Sequence, residues 1–213
     1  MASHELSFSG KHIRLEPLSL NHIEPLLAAA TADPSLYDDN IYRFTVVPQT
    51  LDAMTLYVET ALRWQDEGTS IPFVVIRQSD HAVIGSTRYW NIERWLWPAG
   101  HARHSNPAPD ALEIGYTWFT RPAIRTAANT ESKFLLLQHA FEAWKVLRVC
   151  LHTDLRNTRS QAAMERIGFK REGVLRSHRM AADLTPRDSV RFSMLPAEWP
   201  EAKQRLIARL QPS

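Results

Sequence analysis

Residues Ile124 to Leu147 read I-R-T-A-A-N-T-E-S-K-F-L-L-L-Q-H-A-F-E-A-W-K-V-L. The first half is small and polar, whereas the second half carries a helical period. Phe134, Leu137, Phe141 and Trp144 recur at three- and four-residue steps and form one apolar stripe, with Ser132, Lys133, Glu142 and Lys145 outside it. Pro122 stands just ahead, where the preceding apolar run from Leu112 to Phe119 should end as a strand. The order is therefore strand, short polar loop, long helix. The N-terminus of such a helix presents free backbone N–H groups and the positive end of the helix dipole, which suits a phosphate. The loop contains no glycine, so an ordinary strand–loop–helix crossover without a ligand stays open at this point.

Working outward, His12 to Leu18 alternates as a strand, and Asn21 is expected to cap a helix carrying Ile23, Leu26 and Leu27. Residues 31 to 50 read as irregular. Thr50 or Asp52 opens a further helix with Met54, Val58, Ala61 and Leu62 on its stripe and Gly68 at its end. Pro72 to Ile76 and Ala82 to Tyr89 form strands around a Q-S-D-H turn. After the central crossover, Arg148 to Asp154 is a strand with Val149, Leu151 and Thr153 on one face. Asn157 caps a short helix whose inward side holds Ser160, Ala163, Met164 and Ile167. Phe169 to His178 and Ser189 to Leu195 pair as a hairpin, and a last helix runs from about Glu198 to Leu210. This order predicts an α/β chain: a mixed, mostly antiparallel sheet with one parallel crossover unit from Leu112 to Asp154 and helices on both faces.

The stretch from Asn91 to Asp110 breaks the pattern, with Trp95, Trp97, His101, His104 and three prolines. A loop of this length is either a functional lid, with the tryptophans as substrate contacts, or an insertion that packs them on its own surface. His101 and His104 have no third ligand nearby in sequence, so no metal is expected.

The 213 residues suit one domain spanning 1–213, and 44% hydrophobic residues can fill its core. A net charge of +2 argues against a nucleic-acid-binding surface. Cys150 is the only cysteine, which excludes an intrachain disulfide. The N-terminus has no secretory pattern and no window matches a membrane span, which sets the expectation of a cytoplasmic protein without membrane contact.

Three stretches together resemble the GNAT superfamily of acetyl-CoA-dependent N-acetyltransferases, and more closely its RimJ/RimL-like branch: L-E-I-G-Y-T-W-F at Leu112–Phe119, N-T-E-S-K-F-L-L-L-Q-H-A-F-E at Asn129–Glu142, and L-H-T-D-L-R-N-T-R-S-Q-A-A-M-E-R-I-G-F-K-R-E-G-V-L-R at Leu151–Arg176. The likeness extends over essentially the whole chain. It implies a sheet whose two central parallel strands splay, with pantetheine in the V, hydrogen-bonded to the backbone of Thr117, Trp118 and Phe119. It implies pyrophosphate over Arg125, Thr126, Ala127, Ala128, Asn129 and Thr130. The family pattern there is Gln/Arg-x-x-Gly-x-Gly/Ala, and this chain departs from it at Ile124, Ala127 and Asn129; alanine serves if its φ stays negative. Arg125 supplies a cation one residue from the usual basic position. Acetyl-CoA is implied as cosubstrate, a protein N-terminus or a small-molecule amine as acceptor, and a homodimer as a candidate assembly.

The same resemblance places Glu113 as a base, beside a structural reading in which its carboxylate pairs with an arginine. By two-residue period Glu113, Gly115 and Thr117 should share a face. The tyrosine that many relatives use to protonate the leaving thiolate has no counterpart here. Ser160, within N-x-x-S, takes that role as acid or hydrogen-bond donor, with Asn157 as helix cap and cofactor partner. A catalytically inactive member that keeps the fold as a binding module is the alternative. A dinucleotide-binding fold is excluded, because no G-x-G-x-x-G follows a strand.

Overall fold

The computed structural model describes residues 6–33, 35 and 42–211. Its backbone is organised by one eight-stranded sheet in the order β1-β2-β3-β4-β5-β6-β8-β7. The strands are β1 (Phe8–Ser9), β2 (Ile13–Pro17), β3 (Ile71–Arg77), β4 (Val83–Glu93), β5 (Ala111–Phe119), β6 (Arg148–Asp154), β7 (Lys170–Met180) and β8 (Pro186–Met194). Every neighbouring pair is antiparallel except β5 and β6. The helices are α1 (Ile23–Thr31), α2 (Leu51–Asp66), α3 (Ala127–Gln138), α4 (Thr158–Arg166) and α5 (Trp199–Leu210). One core joins α3 and α5 to the sheet through Leu112, Ile114, Leu136, Leu137, Trp199 and Leu206; a second joins α1 and α2 to the opposite face through Leu26, Met54, Val58, Val74 and Trp118. Helices thus cover both faces, as the element order predicts.

Several local expectations are corrected. Asn21 lies inside a short 3-10 turn, because the Ser19 N–H donates to His22 Nδ1 at 3.0 Å and closes that turn ahead of α1. Of the irregular stretch 31–50, residues 34 and 36–41 lie outside the described residues. Helix α3 ends at Gln138 and continues as a wider π turn over His139–Ala143. Ser132, expected outside the apolar stripe, is fully buried, and Lys133 turns inward. The reason is that α3 packs on the sheet and on α5 together, as the Phe134–Trp199 ring contact at 6.4 Å shows, so it buries more than one stripe.

Glu131 anchors this helix to the N-terminal strand. Its Oε1 accepts from the Lys11 N–H, and its Oε2 from those of His12 and Ile13, all at 2.7 Å. A Cβ at Gly10 would lie 2.3 Å from that carboxyl carbon, so the approach requires a residue without a side chain.

Candidate active site

The parallel pair is short. Ala111, Leu112 and Glu113 face Arg148, Val149 and Cys150, after which β5 and β6 run on without pairing. Their facing edges diverge into a V whose vertex is at Glu113. Backbone groups along those edges are not shared between the two strands, and so can serve a ligand. On β5, the Phe119 carbonyl meets the Tyr42 hydroxyl at 2.8 Å.

A β-bulge shapes this edge. Gly115 pairs with Arg88 and Trp118 with Ser86, which leaves Tyr116 and Thr117 together opposite Thr87. Tyr116 takes the left-handed region at φ 52. The extra residue switches the side-chain alternation. Tyr116 lies on the α2 face with Glu113 and Gly115, against Trp64 and Trp90 at 5.8 and 5.3 Å. Thr117 lies on the α3 face, where its Oγ1 meets Thr87 Oγ1 and Lys133 Nζ, each at 2.8 Å. The expectation that Glu113, Gly115 and Thr117 share one face is therefore corrected, since strict period-two counting does not survive a bulge. Burial without a carboxylate partner lowers the Lys133 pKa to about 7.

Glu113 sits almost fully buried at the vertex. Its Oε2 is 3.0 Å from His152 Nδ1, in a bent approach, and 3.1 Å from Arg179 Nη2. Burial raises its proton affinity, but His152 and Arg179 outweigh burial and hold its pKa below the usual value. This geometry suits the structural reading of Glu113 better than that of a free base. Arg179 reaches it because β7 carries extra residues opposite Asp188 between Leu175 and Arg179, with Ser177 at φ 46 and its N–H donating to Asp188 Oδ1. The hairpin therefore turns over the vertex and brings His178 within 5.1 Å of the His152 ring. Burial, followed by the charges of Arg179 and His152, lowers the His178 pKa, so its imidazole is neutral at pH 7.

At the mouth of the V, Thr126 caps α3, and its hydroxyl accepts from the Ala128 N–H at 3.2 Å. Arg125 supplies the left-handed turn at φ 64, so Ala127, Ala128, Asn129 and Thr130 form the first helical turn with negative φ. That meets the condition under which alanine replaces glycine. The first-turn N–H groups face outward by position, and that turn holds no acidic residue. A cavity of about 340 Å³ adjoins Thr126, Ala127 and Ala128 and is flanked by Lys11 and Arg77. A doubly negative pyrophosphate fits this set of donors.

Asn157 caps α4, its Oδ1 accepting from the Ser160 N–H at 3.1 Å. Met164 and Ile167 pack on the α3-side core, so Ser160 approaches from the face opposite Glu113. Trp118 is buried on the α2 face, and Phe119 on the α3 face. The 94–110 loop is held by the buried Asp110, which accepts from the Trp95 N–H at 2.8 Å, Trp97 Nε1 at 2.9 Å and Arg103 at 3.1 Å. Trp97 stacks on His101 at 4.1 Å, and Trp95 remains 43% exposed. Among the described residues no group of three or more His, Cys, Asp or Glu side chains is placed to hold a metal ion, and no helix is long and apolar enough to cross a membrane.

Sequence reasoning missed His152, His178, Arg179, Arg88 and Lys133. The first had a signal: His152 alternates with Val149, Leu151 and Thr153, and so shares Glu113's face. The rest depend on the bulges in β5 and β7 and on the packing of α3.

The acetyltransferase (GNAT) domain family matches residues 12–170 of the chain. The chain belongs to the GNAT acetyltransferases. This GNAT enzyme is 28% identical to a GCN5-related N-acetyltransferase from Brucella melitensis, covering 98% of this chain and 86% of that one with a TM-score of 0.80. It is 36% identical to a candidate acetyltransferase from T. thermophilus, over 96% and 97% of the two chains with a TM-score of 0.74. Mycobacterium smegmatis RimJ in complex with CoA-disulfide shares the fold, at 19% identity over 92% and 88% of the chains and a TM-score of 0.72. No curated protein matches the chain. The GNAT enzyme is accordingly an N-acetyltransferase, a class that draws on acetyl-CoA.

Proposed function

We propose that this enzyme transfers the acetyl group of acetyl-CoA to a primary amine, on a protein N-terminus or a small molecule, by direct attack on the thioester. The observation that carries this reading is the V between β5 and β6, vertex at Glu113, with the capped N-terminus of α3 at its mouth. When bound, acetyl-CoA supplies the activated acyl group.

Backbone groups of Thr117, Trp118 and Phe119 line one arm of the V and hold the pantetheine chain. The N–H groups of Ala127 to Thr130, with Arg125 and the cap residue Thr126, hold the pyrophosphate. A backbone N–H in the Tyr116–Trp118 bulge donates toward the acyl oxygen. At the vertex Glu113 fixes His152 and Arg179, and takes part in proton acceptance through this cluster, with the neutral His178 imidazole beside it as the group able to take the amine proton. Ser160, approaching from the other face and fixed by the Asn157 cap, donates a hydrogen bond to the departing sulfur. Trp95 and Trp97 mark the rim where the acceptor meets the 91–110 insertion. The shared fold with RimJ supports assignment to the RimJ/RimL-like branch. In this reading residues 1–213 act as one domain in the cytoplasm.

The test is mass spectrometry of a panel of peptides and small amines incubated with enzyme and acetyl-CoA. The reading expects a gain of one acetyl group on at least one amine and stoichiometric release of CoA. Acetyl-CoA that binds without transfer to any amine would favour the inactive binding module.

A further inference from the structure

The face of the sheet that Glu113 shares with α2 carries more positive charge than its carboxylates neutralise. Arg88, 1% exposed, lies over the rings of Tyr116 at 4.2 Å, Tyr57 at 4.9 Å and Trp64 at 5.7 Å, and its Nε and Nη2 have no hydrogen-bond partner. Rings stabilise such a cation without neutralising it. Arg179 and Arg187 stand directly opposite each other on β7 and β8. Like charges at opposed positions destabilise a sheet unless an anion joins them.

The available anions are few. Arg187 Nε donates to the neutral Ser189 hydroxyl at 2.9 Å, and the residue lies within electrostatic reach of Arg179, Asp154, Glu113 and Tyr116. Asp154 is gripped at both oxygens by Arg156, at 2.9 and 2.8 Å. Asp183 also pairs with Arg156, at 2.9 Å. Asp188 faces away from Arg187 by strand alternation and accepts the Ser177 N–H. Glu113 is then the carboxylate left beside Arg179 and Arg187, while Arg88 joins this group of three arginines through the Tyr116 ring. Two of these three, Arg179 and Arg187, are partly solvent-exposed. Together they flank the one buried carboxylate at the vertex.

We infer that this face is an acceptor subsite for an amine bearing a carboxylate a few bonds away. The subsite rests on the acetyl-transfer reading above. The carboxylate bridges Arg179 and Arg187, and the amino group is directed toward Glu113 and His178. A forked guanidinium matches a carboxylate at two points, which discriminates such an acceptor from its amide. Transfer balances simply: the amine nitrogen bonds to the acyl carbon, the carbon–sulfur bond breaks with its electron pair on sulfur, one amine proton passes to His178, and the CoA thiolate, hydrogen-bonded by Ser160, takes up one proton to leave as the thiol.

The experiment compares matched pairs, α-amino acids and their α-amides, together with peptides whose first residue is acidic or neutral. The expected result is a kcat/KM at least tenfold higher for the carboxylate member of each pair, reduced about tenfold in Arg187→Gln while transfer to the amide is unchanged. Calorimetry on the unmodified enzyme with an N-acetyl amino acid and its amide adds a readout independent of turnover. Tighter binding of the acid, even with no transfer detected, keeps the subsite and counts against the transfer reading. Equal transfer to acid and amide, or equal binding of the two products, overturns the subsite while leaving acetyl transfer intact. A preference confined to the peptide pair assigns the carboxylate to an acidic first residue rather than to a free amino acid.

Discussion

Replacing Lys133 by methionine should make the protein more stable, and by an amount that depends on pH in a defined direction. The Lys133 ammonium donates to Thr117 Oγ1 at 2.8 Å and faces no carboxylate in any hydrogen bond or ion pair of the described residues. Burial lowers its pKa from 10.5 to about 7. In the unfolded chain the amine holds its proton up to about 10.5, so between pH 7 and that value the unfolded state binds more protons than the folded one. Stability therefore rises with pH across this window and is lost as pH falls through it, with nothing further lost below about 7. The difference of about 3.5 units corresponds to about 5 kcal/mol at 1.36 kcal/mol per unit. The lost hydrogen bond to Thr117 returns about 1 kcal/mol, and the partly solvated stem of Lys133 reduces the figure further. At pH 6, Lys133→Met should thus exceed the parent by about 3 kcal/mol, whereas near pH 10 the two should nearly coincide. Urea unfolding at pH 6, 7.5 and 9 measures this directly. A stability difference that stays constant across the three pH values, or a destabilised variant at pH 6, would refute the argument that this amine is buried without compensation.

Glu131→Gln sets an amide N–H against the Lys11 N–H and should cost about 2–4 kcal/mol in urea unfolding, while Asn129→Ala, on the exposed side of the same turn, should cost under about 1. Glu113→Gln removes a carboxylate whose pKa is held below 4.5; its stabilising effect should be present above 4.5 and disappear as pH falls through the lowered folded value, so parent and variant melting temperatures should converge in acid. The same variant should lose turnover at neutral pH, with a wild-type rate at every pH from about 6 to 9 ruling out any role in proton transfer. Ser160→Ala should lower kcat by roughly ten- to a thousandfold with cofactor affinity nearly unchanged; an undiminished kcat removes Ser160 from the reaction.

Element types were legible in the sequence because each rests on local information. Thr50 and Asn157 are caps as read, accepting from the N–H groups of Ala53 and Ser160, and Gly68 ends α2 at φ 73. The three stretches at Leu112–Phe119, Asn129–Glu142 and Leu151–Arg176 together carried the resemblance to the family, and the resemblance in turn implied the splayed strands. The site's chemistry was less legible. A single bulged residue at Tyr116 reverses which side chains of β5 look toward α2, and no local propensity marks it. Arg179 reaches Glu113 from a strand outside the parallel pair, across 66 residues of chain, because a bulge at Ser177 folds the hairpin over the vertex. Lys133 looked solvent-facing by helical period, yet α3 is enclosed by both sheet and α5. Periodicity reports one buried face of one element. Which charges meet, and which proton affinities they shift, is set by elements distant in sequence that only the folded chain brings into contact.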